Sequence, residues 1–590
     1  MKAKVIQKKV IAILAVMAMT LSLVSCGGNT GTDTAKKDTT VVESEVQEEK
    51  EESTEETKDP NAIDVEAVKR EIAETITNMP GAQEGAPVLT VGMQQNTWVE
   101  DYDNNFVTKL LEEKNNVDLQ FEYLPSSNDD FKTKLTLMVS ADQKLPDVLT
   151  GILPEMSVYE YGRLGVLQDV TSYYDNSEVM PVVNSFSEAD KEFAKKGITQ
   201  PDGKIYSAPT LMQFQWNEGT FRMWINQEWL DALGLPEPTT TEEFKETLRA
   251  FINDDPNGNG MYDEIGLVGA HGGWATDPTT YIMSAFTYAN QDKSYLHVED
   301  GKVYASYTKP EFKEGLAYMN ELVNEGLLDP MTFTQDLTAL KSITTVDEAI
   351  AGVVPGGSFS VFNNVGPAAE RMTLLGPLTG PNGEKNVAQS PSISQSTWMV
   401  TKYCENPELA MKVADSCYSD EVSLNLQQGI EGLNWTMDPE VTSQWTGKYM
   451  DEPTYVVYPE LSVWNVPGNV LWQAGPRFER WEFRKGVSDL PKDQIGDRKI
   501  GNWNKMHLEK YVPYFPKEVI TKILSSPEEA ARFSELDAAL KTHYDVAIVE
   551  FITGNRPLSE YDKFLEELNE LGFEEYMELV QTGYDRFENN

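Results

Sequence analysis

Between residues 88 and 149 the hydrophobic period of the chain alternates between that of a strand and that of a helix, and few architectures accept such a succession. Val88-Leu89-Thr90-Val91-Gly92-Met93 is a short apolar run that reads as a buried strand. Asp103 to Lys114 has helical spacing, carried by Phe106, Leu110 and Leu111. Val117 to Tyr123 alternates apolar and polar residues, as a half-buried strand does. Asp129 to Ser140 reads as a second helix and Pro146-Asp147-Val148-Leu149 as a third strand. This succession predicts a parallel sheet with right-handed crossovers. Ligands bind such sheets beyond the carboxyl ends of the strands. Gln94-Gln95-Asn96-Thr97-Trp98 follows the first strand directly, which makes Asn96 and Trp98 candidate ligand-binding residues.

At 590 residues the chain has room for two or more domains with large cores. Its start reads as an export signal. Lys2, Lys4, Lys8 and Lys9 precede an apolar run from Val10 to Val24, broken only by Thr20 and Ser22. That run is short for a membrane span and has the flanks of a signal peptide. It ends in Leu23-Val24-Ser25-Cys26, which resembles the bacterial lipobox. The resemblance implies a signal peptide over 1–25 and a lipid on the Cys26 sulfur, anchoring the chain to the membrane without spanning it. Residues 26–85 are expected to be an acidic, disordered tether. Nine acids between 41 and 60 face only Lys50 and Lys58, and such a run repels itself and buries little. Residues 61–79 could supply one short helix within it.

The net charge of −46 argues against a nucleic-acid partner, which needs a basic footprint. It argues equally against docking on an anionic membrane surface. Cys404 and Cys417 flank a segment read as helix, Pro407 to Asp415. Thirteen helical residues would separate their Cα atoms by roughly 20 Å, so free thiols are expected. His271, His297, His507 and His543 show no zinc-ligand spacing.

Asp255-Pro256-Asn257-Gly258-Asn259-Gly260-Met261-Tyr262-Asp263-Glu264 is a candidate metal loop. Oxygen-bearing side chains stand at 255, 257, 259, 263 and 264, with glycines between them where a curling chain needs φ > 0. Ca²⁺ takes six to eight such oxygens. The first half matches the pattern D-x-[DN]-x-[DN]-G, but the position of the closing EF-hand Glu is Gly266. A Ca²⁺ loop that is not an EF-hand is therefore expected, with Asp255, Asn257, Asn259, Asp263 and Glu264 as ligands.

Several stretches taken in order resemble one family. They include Gly165-Val166-Leu167-Gln168-Asp169-Val170, Gly203-Lys204-Ile205-Tyr206-Ser207-Ala208-Pro209 and Trp229-Leu230-Asp231-Ala232-Leu233-Gly234. Thr241-Glu242-Glu243-Phe244, Asn324-Glu325-Gly326-Leu327-Leu328-Asp329-Pro330 and Gly429-Ile430-Glu431-Gly432-Leu433-Asn434-Trp435 continue the match. Over about residues 85–590 the chain resembles an extracellular solute-binding protein of an ABC importer, family 1. The resemblance implies an α/β, two-lobed periplasmic-binding-protein-like (type II) fold, each lobe a mostly parallel sheet flanked by helices, with a hinge between them. It implies a solute-binding domain over 86–590, with one lobe from about 86–210 plus 345–400 and the other from about 211–344 plus 401–590. Members resembling alginate-oligosaccharide-binding lipoproteins carry a loop like 255–264. There the Ca²⁺ is structural, and Met261 would add its backbone carbonyl.

The family further implies a non-catalytic, monomeric carrier on the extracytoplasmic face, handing a carbohydrate, an oligosaccharide, to permease subunits. Sugars stack their C–H faces on aromatic rings and bond their hydroxyls to amides and carboxylates, so the 12 tryptophans matter. Loop contexts beside polar groups select Trp98, Trp216 with Asn217, Trp274 and Trp435 as ligand-binding candidates. Trp472 joins them from the long proline-bearing stretch 452–516. Trp224 and Trp229 are assigned to packing. Two alternatives stand beside the carrier. A secreted glycoside hydrolase would need two carboxylates facing across a cleft, and no pair stands in a recognisable catalytic context. A subunit that presents its solute to a membrane receptor is the other.

Overall fold

The computed structural model describes residues 64–213, 218–362, 366–464, 466–492 and 503–589. The signal expected over 1–25, Cys26, the acidic run, Trp216 and Asn217 lie outside the described residues.

Residues 64–85 depart from the expected tether. Val65–Asn78 forms a helix, α1. Asp64 caps it, Oδ1 accepting from the Ala67 amide at 3.0 Å. Ile72 and Ile76, one turn apart, bury themselves in the first core, while Glu66, Glu71 and Glu74 stay exposed. Two well-placed isoleucines outweigh the acidic composition.

The expected alternation then follows: β1 (Val88–Gln94), α2 (Phe106–Asn115), β2 (Asp118–Leu124), α3 (Asn128–Ser140) and β3 (Val148–Thr150). Both helices start on side-chain caps. Asn105 Oδ1 accepts from the Val107 amide at 3.0 Å and Ser127 Oγ from the Asp130 amide at 3.1 Å. β1 pairs in parallel on both sides, Val91 standing opposite Phe121 and Val148.

The further strands of the two main sheets are β4 (Ser207–Met212), β5 (Met223–Asn226), β6 (Ile265–Leu267), β7 (Ala351–Pro355), β8 (Met372–Leu375), β9 (Gln395–Val400) and β10 (Arg477–Glu479). The first sheet runs β10-β4-β9-β3-β1-β2 and the second β8-β5-β7-β6. Each contains one reversed strand, β9 in the first and β5 in the second. The first sheet is covered on both faces. Trp398 and Val400 enter one core and Met399, between them, enters the other, as strand alternation requires.

The expected division of residues between lobes does not follow the sheets. β7 and β8 flank β5, with Val354 and Leu374 both opposite Trp224. The helices Pro407–Ser416 and Asp420–Gln428 place Ala410, Met411 and Val422 in the first core, with Val91 and Val148. The helices Pro527–Thr553, Tyr561–Glu570 and Phe573–Glu588 pack in the second core. The strands of the first sheet thus fall between 88 and 212 and between 395 and 479, and those of the second between 223 and 375. An apolar run says that a segment is buried, not against which sheet.

Among the helices that pack on the second sheet, Thr241–Asn253 is capped by Thr240. Thr240 Oγ1 accepts from the Glu243 amide at 3.1 Å while Glu243 accepts from the Thr240 amide, which is a capping box. Cys404 and Cys417 are buried and free, as expected. Among the described residues, no helix is long and apolar enough to cross a membrane.

Candidate functional site

The C-terminal ends of β1, β2 and β3 are tied together by Gln94, a residue that sequence reasoning passed over for its neighbours. Its amide nitrogen donates to Ser126 O at 3.0 Å and to Asn128 Oδ1 at 2.8 Å. Its amide oxygen accepts from the Ile152 amide at 2.9 Å. One buried side chain thereby fixes three loops at the sheet edge. Asn96 shapes the first of them, its Oδ1 accepting from the Trp98 amide at 2.9 Å. The Tyr102 hydroxyl accepts from the Asn96 amide at 3.0 Å, and burial pushes that phenol up to about 12, so it stays protonated. Trp98 is left 37% exposed at the tip.

The corresponding edge of the second sheet carries Trp274, 47% exposed. It sits on the turn after β7. The Gly357 amide donates to Trp274 O at 3.0 Å. Arg222, just before β5, supports the turn from below. It is fully buried, and its Nη1 donates to Gly357 O. Its Nε donates to His507 Nδ1 at 3.2 Å, and its guanidinium stands 5.0 Å from the Trp503 ring centroid. Burial pulls Arg222 down to about 10, still charged at neutral pH. The buried Trp224 indole donates to Gly356 O at 2.8 Å. The pair Gly356-Gly357 straight after an apolar run is a turn signal in the sequence. Nothing local marked Arg222.

Two candidates are structural instead. Trp435 is 1% exposed, donates its indole N–H to Gly429 O at 2.8 Å, and meets Tyr455 edge to face. Trp472 is 3% exposed, donates to Thr108 Oγ1 at 2.8 Å, and stacks on Trp398 with centroids 6.4 Å apart. Each indole spends its one donor inside the protein, so neither presents a face to a solute.

The loop 255–264 curls through positive φ at Asp255 (47°), Gly258 (71°) and Gly260 (76°). Asp255 Oδ2 accepts from the Gly260 amide at 3.0 Å, Asn257 Oδ1 from Asn259 at 3.0 Å and Asn259 Oδ1 from Met261 at 2.7 Å. Asn257 Nδ2 donates to Ala349 O at 3.0 Å, fastening the loop to the strand-side chain. Asp255 Oδ1 and both oxygens of Glu264 are buried without a hydrogen-bond partner. Burial, then the charges of Asp263 and Asp255, raise the Glu264 carboxyl above its ordinary range. Asp263 and Met261 are exposed. Among the described residues, no three His, Cys, Asp or Glu side chains converge closely enough to hold an ion by themselves.

Each of the two sheets thus carries one exposed tryptophan at the edge described above, Trp98 on the first and Trp274 on the second. The chain matches the model of the bacterial extracellular solute-binding proteins over residues 96–423, and it belongs to that family. Its architecture is the type II periplasmic-binding fold. It is similar to the fructooligosaccharide ABC transporter substrate-binding protein FusA of Streptococcus pneumoniae serotype 4, 25% identical over 509 residues, 83% of this chain and 88% of that protein. A structure of the S. pneumoniae FusA EF-hand mutant in complex with fructo-nystose superposes with a TM-score of 0.65 at 23% identity, covering 85% of this chain and 100% of that one. An HMO binding, ABC-transporter-associated solute binding protein from Bifidobacterium longum infantis reaches 0.70 at 22% identity, covering 85% and 99%.

Proposed function

We propose that this protein is the lipid-anchored binding component of an ABC importer, capturing an oligosaccharide between its lobes and delivering it to membrane permeases. The observation that carries the reading is the pair Trp98 and Trp274, exposed at the C-terminal edges of the two sheets. Closure would bring two aromatic faces onto one sugar chain, and Asn96 stands beside the first of them. The oligosaccharides named for FusA support the solute class. Cys26 would carry the lipid that keeps the protein at the extracytoplasmic face. The chain would bind and release its solute unchanged, as a monomer.

A structural Ca²⁺ belongs to the same proposal. The unpartnered oxygens of Asp255 and Glu264 fit a hard cation. Asn257, Asn259, Asp263 and the Met261 carbonyl would complete the shell. The ion would neutralise the acids and brace the loop, with no part in handling the solute.

Calorimetric titration of the mature protein with kestose, nystose and pectic and milk-type oligosaccharides tests the reading, with chromatography of the mixtures afterwards. Saturable binding and unchanged saccharide are expected. Binding of none of them, or cleavage of any, would sink it.

A further inference from the structure

The loop between β1 and α2, which carries Trp98, is built of two turns that support themselves. In the first, Asn96 accepts from the Trp98 amide through Oδ1 at 2.9 Å and from the Val99 amide through its carbonyl at 3.1 Å. In the second, Asp101 Oδ1 accepts from the amides of Asp103 and Asn104 at 3.0 and 3.2 Å. The Asp101 carboxylate is thus committed inside its own turn, and the Asp101 amide needs an acceptor from elsewhere.

A stretch far downstream joins the two turns. Val99 and Gly468 form a parallel bridge. The Gly468 amide donates to Trp98 O at 3.1 Å, and the Glu100 amide donates to Gly468 O at 3.4 Å. Asn469 then holds the chain at two points. Its Oδ1 accepts from the Asp101 amide, 368 residues earlier, at 2.8 Å. Its carbonyl accepts at 2.8 Å from the amide of Phe106, the first residue of α2. Asn105 Nδ2 donates to Leu471 O at 3.1 Å. Thr108 Oγ1, which accepts from the Trp472 indole, donates in turn to Tyr102 O at 2.6 Å. Leu471 and Trp472 are buried in the first core. The downstream stretch is therefore fixed by the core, and the Trp98 loop is fixed by the stretch.

We propose that Asn469 is a positioning residue for Trp98, setting the pose of the exposed ring through the Asp101 amide. One residue relates the turn after Trp98 to the rigid start of α2, so the distance between the ring and the helix depends on it. A ring already held in place loses less freedom when a solute stacks on it, and binding is tighter for that reason. Without the Asn469 oxygen the Asp101 amide loses its acceptor, and the two turns are free to shift against each other. The inference rests on the reading of Trp98 as a saccharide platform.

The test is a double-mutant cycle. The mature protein, Asn469→Ala, Trp98→Ala and the variant with both changes are titrated with kestose, nystose and the pectic and milk-type oligosaccharides. Asn469→Ala should weaken the saccharide that binds by roughly three- to tenfold, the scale of one hydrogen bond. It should add nothing once Trp98 is alanine, because it acts through that ring. Hydrogen exchange in peptides spanning 98–106 should be faster in Asn469→Ala. Asn469→Asp keeps the accepting oxygen and should recover the affinity in about 0.5 M salt, where repulsion from Asp101 is screened. The proposal is overturned, and the carbohydrate reading stands, if saccharide binds but Asn469→Ala leaves the Kd and the exchange unchanged. Equal weakening with and without Trp98, or no recovery in Asn469→Asp, overturns it too. If the unaltered protein binds no saccharide of the panel, both fall.

Discussion

Trp274 rests its six-membered ring on Gly357, so closely that a Cβ at 357 would stand 2.6 to 2.8 Å from three ring carbons. The glycine is what lets an exposed indole lie on the backbone at the edge of the second sheet. Gly357→Ala must move one or the other, and the indole, nearly half exposed, can give way more easily than the turn held by Arg222. The variant should keep its melting temperature within about two degrees. It should lose two- to tenfold in oligosaccharide affinity, about the worth of one aromatic stack. Calorimetric titration reads the affinity, and an unchanged Kd would show that the Trp274 face does not meet the solute.

Trp98 and Trp472 should separate cleanly on substitution. Trp98→Ala removes an exposed ring and should stay within roughly 0.5 kcal/mol in stability while weakening saccharide binding several-fold. Trp472→Ala empties a site bounded by Trp398, Phe121 and Thr108. It should cost about 3–5 kcal/mol. Urea melts and titrations on the two variants check this, and equal losses of stability would contradict the division of roles.

These two tryptophans also show where the sequence was legible. The strand–helix alternation from Val88 to Thr150 could be read because hydrophobic period is a local property, and the loop with Trp98 followed from it. Trp472 and Trp435 lie in loop-like sequence beside polar residues, yet their indoles turn inward to Thr108 and Gly429. Which way a ring turns is set by the partner it finds, for Trp472 one 364 residues away and for Trp435 a carbonyl in its own turn. The same limit hid Arg222, whose role comes from Gly357 and His507. It also misplaced β7 and β8, whose lobe is set by pairing with β5. The lipid anchor and the acidic run stay as sequence readings, since both fall outside the described residues.

The loop 255–264 should respond to calcium through Glu264. Three buried carboxylate oxygens there have no hydrogen-bond partner, a costly state that a divalent cation would relieve. A ligand that binds only the folded state stabilises it by about 2.7 kcal/mol at a hundred times its Kd. Adding Ca²⁺ after EDTA should therefore raise the melting temperature of the unaltered protein by several degrees. Glu264→Gln removes the charge, so it should tolerate EDTA better than the unaltered protein and gain little from Ca²⁺. Identical responses of the two proteins would remove Glu264 from the ligand set.

Asp415 should make part of the stability pH-dependent. It is 2% exposed, and its two oxygens accept from the Val182 and Val183 amides at 2.8 and 2.9 Å, holding the short helix Pro181–Asn184 to the first core. Burial nevertheless pushes its carboxyl up to about 6; the two amide bonds offset this only in part. In the unfolded chain the value returns to about 3.9. The native state therefore binds this proton more tightly, and the contribution of Asp415 to stability rises as pH falls from about 7 towards 4. Asp415→Asn has no such proton to bind. Relative to that variant, the unaltered protein should gain stability on acidification, by at most about 3 kcal/mol for a window this wide. Urea melts of both proteins at pH 7, 5.5 and 4.5 measure the difference directly. A gap that stays constant across the three would mean that the amides of Val182 and Val183 hold Asp415 ionised throughout.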